Sequence, residues 1–220
     1  MTTESRPVVT AFNWVPEFAR GLVRDLRVRW AFEEIGRPYD TQLFGAANPR
    51  PDDYVQWQPF DQVPAFADGE LKFFETGAIL LYLGEQDERL LPPEGQPRWN
   101  AISWLFAALN SVEPVIQRIV SYDIFHKDQP WAPDAREASL GLCQQKLKRV
   151  TDALGESEWL AGPFSVADIA MVTVLNNLRH TELVAEHPAL SAYHKRGIER
   201  PAYQRALAAQ LADFESQPAA

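Results

Sequence analysis

The sequence predicts a protein of two parts, an α/β part followed by an all-helical part. Through Leu83 the segments run in the order strand, helix, strand, loop, hairpin and helix, which suits a sheet with a parallel β-α-β unit and an antiparallel hairpin. From Ile102 onward, apolar residues recur with a helical period. Between the two parts, residues 91–97 contain three prolines and a glycine, as expected of a stiff linker. We therefore expect domains at residues 1–86 and 98–220, joined by a linker at 87–97.

The composition is that of an ordinary globular chain. Of its 220 residues, 46% are hydrophobic, which is enough for a proper core. A net charge of -9 disfavours nucleic-acid binding, because contacts with phosphates need a basic face. The polar start of the chain does not resemble a signal peptide, and no apolar run approaches the roughly 18 residues of a membrane span. These features predict a cytoplasmic protein without membrane or nucleic-acid partners.

The first elements follow from apolar runs and the residues that break them. A β-rich run at residues 8–14 ends at Val15-Pro16, and a helix is expected to begin near Val23 or Arg24. The apolar face of that helix continues to Ile35 and stops at Gly36. A second strand is expected from Tyr39 to Phe44. Between Asn48 and Asp61, three prolines and mixed polarity predict a loop with at most a short helix.

Residues 62–77 form the segment around which the rest of the chain is organised. Two short apolar runs flank Asp68-Gly69, a strong hairpin signal. Pro64 belongs at the start of the first strand, which leaves the backbone of Val63 free to pair with a ligand. Thr76, a residue that prefers N-caps, precedes an apolar helix. The unpaired N–H groups at the start of that helix suit a carboxylate. With the negative charge of Glu75 beside it, this pattern fits an amino acid zwitterion.

In the second part, two further patterns support an all-helical domain. An apolar face runs from Ile102 to Val120 for about five turns, and Pro114 is expected to kink that helix. Ser165 and Asp168 have the spacing of a capping box, with Asp in place of Glu.

Four separated segments resemble the cytosolic glutathione transferase family. They are Val63-Pro64 with Glu75-Thr76, residues 27–39, Ser165 with Asp168, and the helix start at 200–202. They occur in the family's order and span nearly the whole chain. The resemblance implies a thioredoxin-like first domain and an all-α second domain, which together make the glutathione transferase fold. It also implies a homodimer.

The resemblance implies that glutathione binds along residues 62–76 as a co-substrate. The backbone of Val63 would pair with the cysteinyl residue, presented by a cis Pro64, with Gln62 beside it. Glu75 would hold the γ-glutamyl ammonium, and Thr76 with the helix N-terminus would hold the neighbouring carboxylate. The alternative is that Pro64 only starts a strand, that Glu75 is a solvated charge and that Thr76 only caps a helix.

The residue that activates the thiol departs from the family's pattern. Family members usually use a Tyr, Ser or Cys after the first strand, and none of these occurs between Arg6 and Pro38. The alignment of the first helix places that position near Val23 or Arg24. An arginine or a ring of amide donors can stabilise a thiolate, so Arg24 is the first catalytic candidate and Asn13 the second. The alternative is that the arginines at 20–37 form the polar face of an amphipathic helix.

Aromatic residues are candidates for an apolar pocket beside the thiol, although packing in the core is the alternative for each of them. The selected residues are Trp14, Phe18, Trp104 and Tyr122. Cys143, the only cysteine, lies on an apolar helical stripe and is expected to be an inert core thiol. The histidines lack metal-ligand spacing, so no metal is expected.

The favoured function is therefore glutathione transfer in detoxification. The enzyme would conjugate the thiol to small apolar electrophiles, or use it to exchange disulfides or reduce peroxides. A non-catalytic, transferase-like adaptor that binds another protein is the main alternative. An isomerase or lyase that uses glutathione as a cofactor is a third.

Overall fold

A four-stranded mixed sheet organises the N-terminal part of the chain, which we analysed in a computed structural model that describes residues 6–46 and 50–215. Its strands are β1 (Val8–Phe12), β2 (Asp40–Phe44), β3 (Ala65–Asp68) and β4 (Leu71–Phe74). They lie in the order β2-β1-β3-β4. β1 and β2 are parallel, whereas β3 runs antiparallel to both β1 and β4. The predicted parallel unit and antiparallel hairpin are thus confirmed.

Three helices accompany this sheet: α1 (Asp25–Ile35), α2 (Asp52–Trp57) and α3 (Thr76–Gly84). The crossover helix α1 ends at Gly36, whose φ of 67° is the left-handed conformation that glycine adopts without a Cβ penalty. The predicted stop at Gly36 is confirmed. The short helix α2 lies in the stretch from Asn48 to Asp61, where a loop with at most a short helix is expected. Residues 48 and 49 of that stretch lie outside the described residues.

The hairpin turn lies one residue further along the chain than the sequence pattern suggests. Asp68 is the last residue of β3 and pairs with Leu71, so the two turn residues are Gly69 and Glu70. Gly69 has a φ of 61° at the first turn position, where a type II′ turn takes glycine. Asp68 is held in the strand, where its carboxylate accepts hydrogen bonds from Arg37 and Tyr82.

The second part begins with a long helical run in two α-helical pieces, α4 (Gly95–Phe106) and α5 (Glu113–Val120). A π-helical segment, Ala107–Val112, lies between them, and a second, Ser121–Phe125, follows α5. Pro114 was expected to kink a single helix. It lies in the first turn of α5, directly after the π-helical segment Ala107–Val112.

Three more helices complete the second part: α6 (Ala132–Leu154), α7 (Val166–Leu175) and α8 (Pro188–Ile198). Every residue of α7 is buried. The predicted capping box is present, since the Ser165 side chain accepts from the start of α7 and Asp168 accepts from the Ser165 backbone N–H at 2.9 Å. Cys143 is fully buried on α6, which confirms it as a core residue.

The last helix, α9 (Pro201–Glu215), packs against α1. By compactness, the chain divides into one unit made of the residues up to Leu90 together with those from Arg200 onward, and a second unit, Leu91–Glu199. The predicted boundaries at 1–86, 87–97 and 98–220 follow chain order and stay a prediction. Within the described residues, no helix combines the length and the apolar character needed to cross a bilayer.

Candidate functional site

A buried chain of hydrogen bonds fixes the loop that leads into β3. The backbone N–H of Ala65 donates to Thr10 Oγ1 at 2.6 Å, and this oxygen lies 2.9 Å from the Tyr54 hydroxyl. Tyr54 in turn donates to the carbonyl oxygen of Gln62. Since Tyr54 uses its only proton on Gln62, the Thr10 hydroxyl donates to Tyr54, and the whole chain has one direction. Burial raises the pKa of Tyr54, so the phenol stays protonated.

Two further side chains hold the same loop. The buried Gln58 accepts from the backbone N–H groups of Phe60 at 2.7 Å and Gln62 at 3.3 Å. The Arg50 guanidinium donates to the side-chain carboxylate of Asp61 and to the backbone carbonyl oxygen of Asp61. The Arg50 side chain is 10% exposed, and its Nη1 is buried with no partner among the residues that the structure describes. Among the described residues, Nη1 of the Arg50 guanidinium beside this loop is therefore a donor without an acceptor.

Val63 lies at the end of this loop with its backbone outside the sheet. β3 begins at Ala65, and within the described residues no hydrogen bond involves the backbone N–H or C=O of Val63. The Val63-Pro64 peptide bond is cis, as the resemblance implied. Val63 is 7% exposed, whereas the preceding Gln62 is exposed. Unpaired backbone groups at such a strand end can accept an extended peptide.

The start of α3 differs from the sequence expectation by one residue. Glu75 occupies the N-cap, and Thr76 is the first helical residue, so Thr76 is not the cap. Glu75 has a φ of 75° and a ψ of 120°, a conformation that costs a non-glycine residue on the order of 1–3 kcal/mol. Its side chain makes no capping hydrogen bond and is exposed. Glu75 therefore presents a carboxylate to solvent beside the N–H groups of the helix.

Arg27 is a site residue that the sequence reasoning missed. It is 2% exposed on α1, and its Nη1 lies 3.4 Å from Thr76 Oγ1. A buried guanidinium at the start of α3 adds a full positive charge to that of the helix N-terminus. The alternative that the arginines form a polar face is wrong for Arg27 and Arg29, which are both buried. The sequence signal was their position on the apolar side of α1, next to Val28.

The two catalytic candidates precede α1. Arg24 is exposed at the N-cap of this helix. Asn13 follows β1, is half-buried, and donates its backbone N–H to Phe44 O at 2.9 Å. Both belong to the unit that contains Val63, and their roles in catalysis stay predictions.

The aromatic candidates for the electrophile pocket are divided between the two units. In the first unit, Trp14 is 38% exposed and Phe18 is 42% exposed, so neither is a core residue. In the second unit, Trp104 and Tyr122 are half-buried, and the Tyr122 ring meets Trp131 edge-on. The pocket itself stays a prediction.

The described residues contain neither a cluster of metal ligands nor a reactive cysteine. Within residues 6–46 and 50–215, no three His, Cys, Asp or Glu side chains converge as a metal site would require. Burial raises the pKa of Cys143 to about 11, so this thiol is protonated at neutral pH and is a poor nucleophile.

Comparisons with known proteins establish the family. The model described as "Glutathione S-transferase, N-terminal domain" matches residues 8–85, and "Glutathione S-transferase, C-terminal domain" matches residues 112–201. The chain belongs to the glutathione transferase family, and its fold is the thioredoxin-like domain plus helical domain of that family.

Curated relatives and solved structures agree with this assignment. The chain is 32% identical over 174 residues to the disulfide-bond oxidoreductase YfcG of Escherichia coli strain K12, covering 74% of this chain and 80% of the relative. It is 28% identical to glutathione S-transferase F9 of Arabidopsis thaliana, covering 88% and 94%. A glutathione transferase family member from Pseudomonas fluorescens, solved with two glutathione bound, superposes with a TM-score of 0.82 at 22% identity, covering 94% of each chain.

Proposed function

We propose that this protein is a glutathione-dependent enzyme that transfers or exchanges the thiol of glutathione. The observation that carries the proposal is the pairing of two features in one unit. Among the described residues the backbone of Val63 has no hydrogen-bond partner at its strand end, and Glu75 is held in a strained conformation at the start of α3. One feature suits the peptide part of glutathione, and the other suits its γ-glutamyl head.

In the proposed binding mode, both charged groups of the γ-glutamyl head meet opposite charges. The γ-glutamyl ammonium binds Glu75. The neighbouring carboxylate binds Thr76 and the N–H groups at the start of α3, and the positive charge of buried Arg27 stabilises it. The cysteinyl residue pairs with the backbone of Val63. The exposed Gln62 is available for the glycyl carboxylate.

Activation of the thiol is assigned to Arg24, with Asn13 as the second candidate. A thiol of pKa about 8.5 is only about 3% ionised at pH 7, and a nearby guanidinium favours the ionised form. The thiolate then attacks either of two substrates. With a chlorinated nitrobenzene, a C–S bond forms as the C–Cl bond breaks and chloride leaves. With a disulfide, two glutathione thiols are oxidised to glutathione disulfide while the substrate is reduced to two thiols.

The relatives favour both reactions, since one is named a disulfide-bond oxidoreductase and another a glutathione S-transferase. Small apolar electrophiles, detoxification, a cytoplasmic location and a homodimer belong to the same proposal. Trp14, Phe18, Trp104 and Tyr122 are the residues assigned to the electrophile.

The missing Tyr, Ser or Cys between Arg6 and Pro38 favours a second candidate, a non-catalytic adaptor with the same fold. Calorimetry with millimolar glutathione, followed by assays with a chlorinated nitrobenzene, a small disulfide and a hydroperoxide, separates the two. Binding with turnover of at least one substrate supports the enzyme. Binding without turnover of any substrate supports the adaptor, and no binding ends the glutathione proposal.

A further inference from the structure

One buried side chain of α9 reaches the start of α1. Gln210 is 0% exposed, and its Nε2 donates to Val23 O at 3.2 Å and to Asp25 Oδ1 at 2.8 Å. These two acceptors lie on either side of Arg24 in the chain. Gln210 therefore binds the backbone of Val23 and the side chain of Asp25, the two neighbours of Arg24, which is the residue proposed to stabilise the thiolate.

The amide of Gln210 has the right atoms for this contact and no alternative orientation. Its two N–H hydrogens match the two oxygen acceptors, whereas a flipped amide would turn its own oxygen toward them. In the observed orientation Oε1 is buried and has no partner among the described residues. A buried acceptor without a partner is unfavourable. The side chain therefore keeps both N–H hydrogen bonds although its carbonyl oxygen is left without a partner among the described residues.

A buried ion pair fixes Asp25 from its other side. Asp25 Oδ2 accepts from Arg29 Nε at 2.6 Å, and Arg29 Nη2 donates to Asp213 Oδ2 on α9, also at 2.6 Å. Asp25 and Arg29 are each 1% exposed. The first turn of α1 is thus held to α9 through Gln210 directly and through Arg29 indirectly.

This support matters because the start of α1 has no side-chain cap. Arg24 stands at the N-cap without a side-chain cap, so the first turn is closed by the backbone alone, where Leu26 N–H donates to Val23 O and Arg27 N–H donates to Arg24 O, both at 3.1 Å. Gln210 binds the same Val23 carbonyl oxygen. Uncapped helix starts fray, which would spread Arg24 over several positions.

We propose that Gln210, acting with Asp25, is a positioning residue that holds the first turn of α1 so that Arg24 meets the sulfur of bound glutathione. This inference rests on the proposed function. It assigns to the C-terminal helix a part in thiol activation, although Gln210 itself does not touch the thiol.

The test compares Gln210→Met, Arg24→Ala and the double variant by titration of the thiolate absorbance of bound glutathione. Methionine keeps the length of glutamine and removes the N–H donors. We expect Gln210→Met to raise the pKa of the bound thiol by about half a unit to one unit, in the same direction as Arg24→Ala. The double variant should match Arg24→Ala alone, because residues that act through one another are not additive. Glutathione affinity by calorimetry should fall by no more than the roughly three- to tenfold that the pKa shift itself implies, since Val63, Glu75 and Thr76 are untouched.

Ala206→Gly is the matched control for general loosening of α9. Ala206 is fully buried one turn before Gln210, and its replacement weakens the helix without removing a contact to Val23 or Asp25. It should lower the unfolding temperature and leave the thiol pKa unchanged. If Gln210→Met fails to fold, Gln210→Asn, which keeps the amide but shortens its reach, should show a smaller pKa shift in the same direction.

An unchanged thiol pKa in Gln210→Met, or in Gln210→Asn if that variant takes its place, would overturn the inference. Additive shifts in the double variant, or an equal shift in Ala206→Gly, would do so as well. A shift in Gln210→Met with none in Arg24→Ala would overturn the route through Arg24. Wild-type protein that binds no glutathione would instead end the proposed function, so the two failures are distinguishable.

Discussion

The hydroxyl of Tyr54 donates to the carbonyl oxygen of Gln62, the residue immediately before Val63. This contact joins the short helix α2 to the loop whose far end carries the proposed glutathione site. Tyr54 is 3% exposed and is hydrogen-bonded through Thr10 to the start of β3. It therefore fixes the loop relative to the sheet. The proposed peptide-binding backbone is therefore placed by residues that do not touch the ligand.

Tyr54→Phe is expected to weaken glutathione binding and to lower stability. The variant leaves the Gln62 carbonyl and the Thr10 hydroxyl without their partner, which costs about 1–3 kcal/mol. Calorimetry measures affinity, and urea unfolding measures stability. Tyr82→Phe is the matched control, because Tyr82 donates to Asp68 at 2.9 Å at the opposite end of β3. The proposed role of Tyr54 is wrong if both variants change affinity equally.

Glu75 provides a test in which stability and binding move in opposite directions. Glu75→Gly relieves the unfavourable φ of 75° and should raise the free energy of unfolding by about 1 kcal/mol. The same variant removes the carboxylate proposed for the γ-glutamyl ammonium, so it should weaken glutathione binding by roughly tenfold or more.

Glu75→Ala separates the two effects, since it loses the carboxylate but keeps the strained backbone. It should bind glutathione as weakly as Glu75→Gly without the gain in stability. Full affinity in either variant would show that the carboxylate is not used.

Arg27→Met tests the buried charge behind Thr76. The variant keeps much of the apolar packing of the side chain and removes the guanidinium, so glutathione affinity should fall roughly tenfold or more. Calorimetry checks this expectation. Arg37→Met is the control, because Arg37 is a half-buried arginine of the same unit that pairs with Asp68 at 2.8 Å. An effect of the same size in both variants would point to overall charge rather than to the position of Arg27.

The sequence predicted those features whose signals are local. Gly36 ends α1 because glycine adopts a positive φ at little cost, and Ser165 with Asp168 forms a capping box because both partners lie within one helical turn. Both features are set by the chain within a few residues. Their physical causes can therefore be identified before any tertiary contact is known.

Features that depend on distant contacts were missed. Arg29 is buried between two carboxylates: Asp25, one turn earlier on α1, and Asp213, 184 residues further along the chain. No local pattern marks the contact with Asp213, so an arginine on α1 is easily interpreted as part of a polar face. Likewise, Glu75 becomes the N-cap in place of Thr76 through a backbone conformation that its residue type disfavours. The cis peptide bond at Val63-Pro64 was thus expected, whereas the residues that support this loop were not, and the glutathione-binding roles stay predictions.

The pH dependence of stability should contain two opposing contributions from the helical unit. Burial raises the pKa of Asp168 to about 6 from 3.8, so the folded state binds the extra proton and stability falls as the pH rises from about 4 to 6. Burial lowers the pKa of His194 to about 4 from 6.5, so the unfolded state binds the extra proton and stability rises over nearly the same range. Each contribution amounts to at most about 3 kcal/mol, so these two contributions should nearly cancel in the wild-type protein.

Single substitutions should reveal each contribution. Asp168→Asn leaves only the His194 contribution of this pair, so the free energy of unfolding should rise from pH 4 to 6.5. His194→Gln leaves only the Asp168 contribution, so the free energy of unfolding should fall over that range. Urea unfolding at a series of pH values measures both slopes, and slopes can be compared even though Asp168→Asn also weakens the hydrogen bonds from Leu160, Ser165 and Tyr193. Parallel slopes in the two variants would contradict this assignment, because buried groups of opposite charge type must titrate with opposite effects on stability.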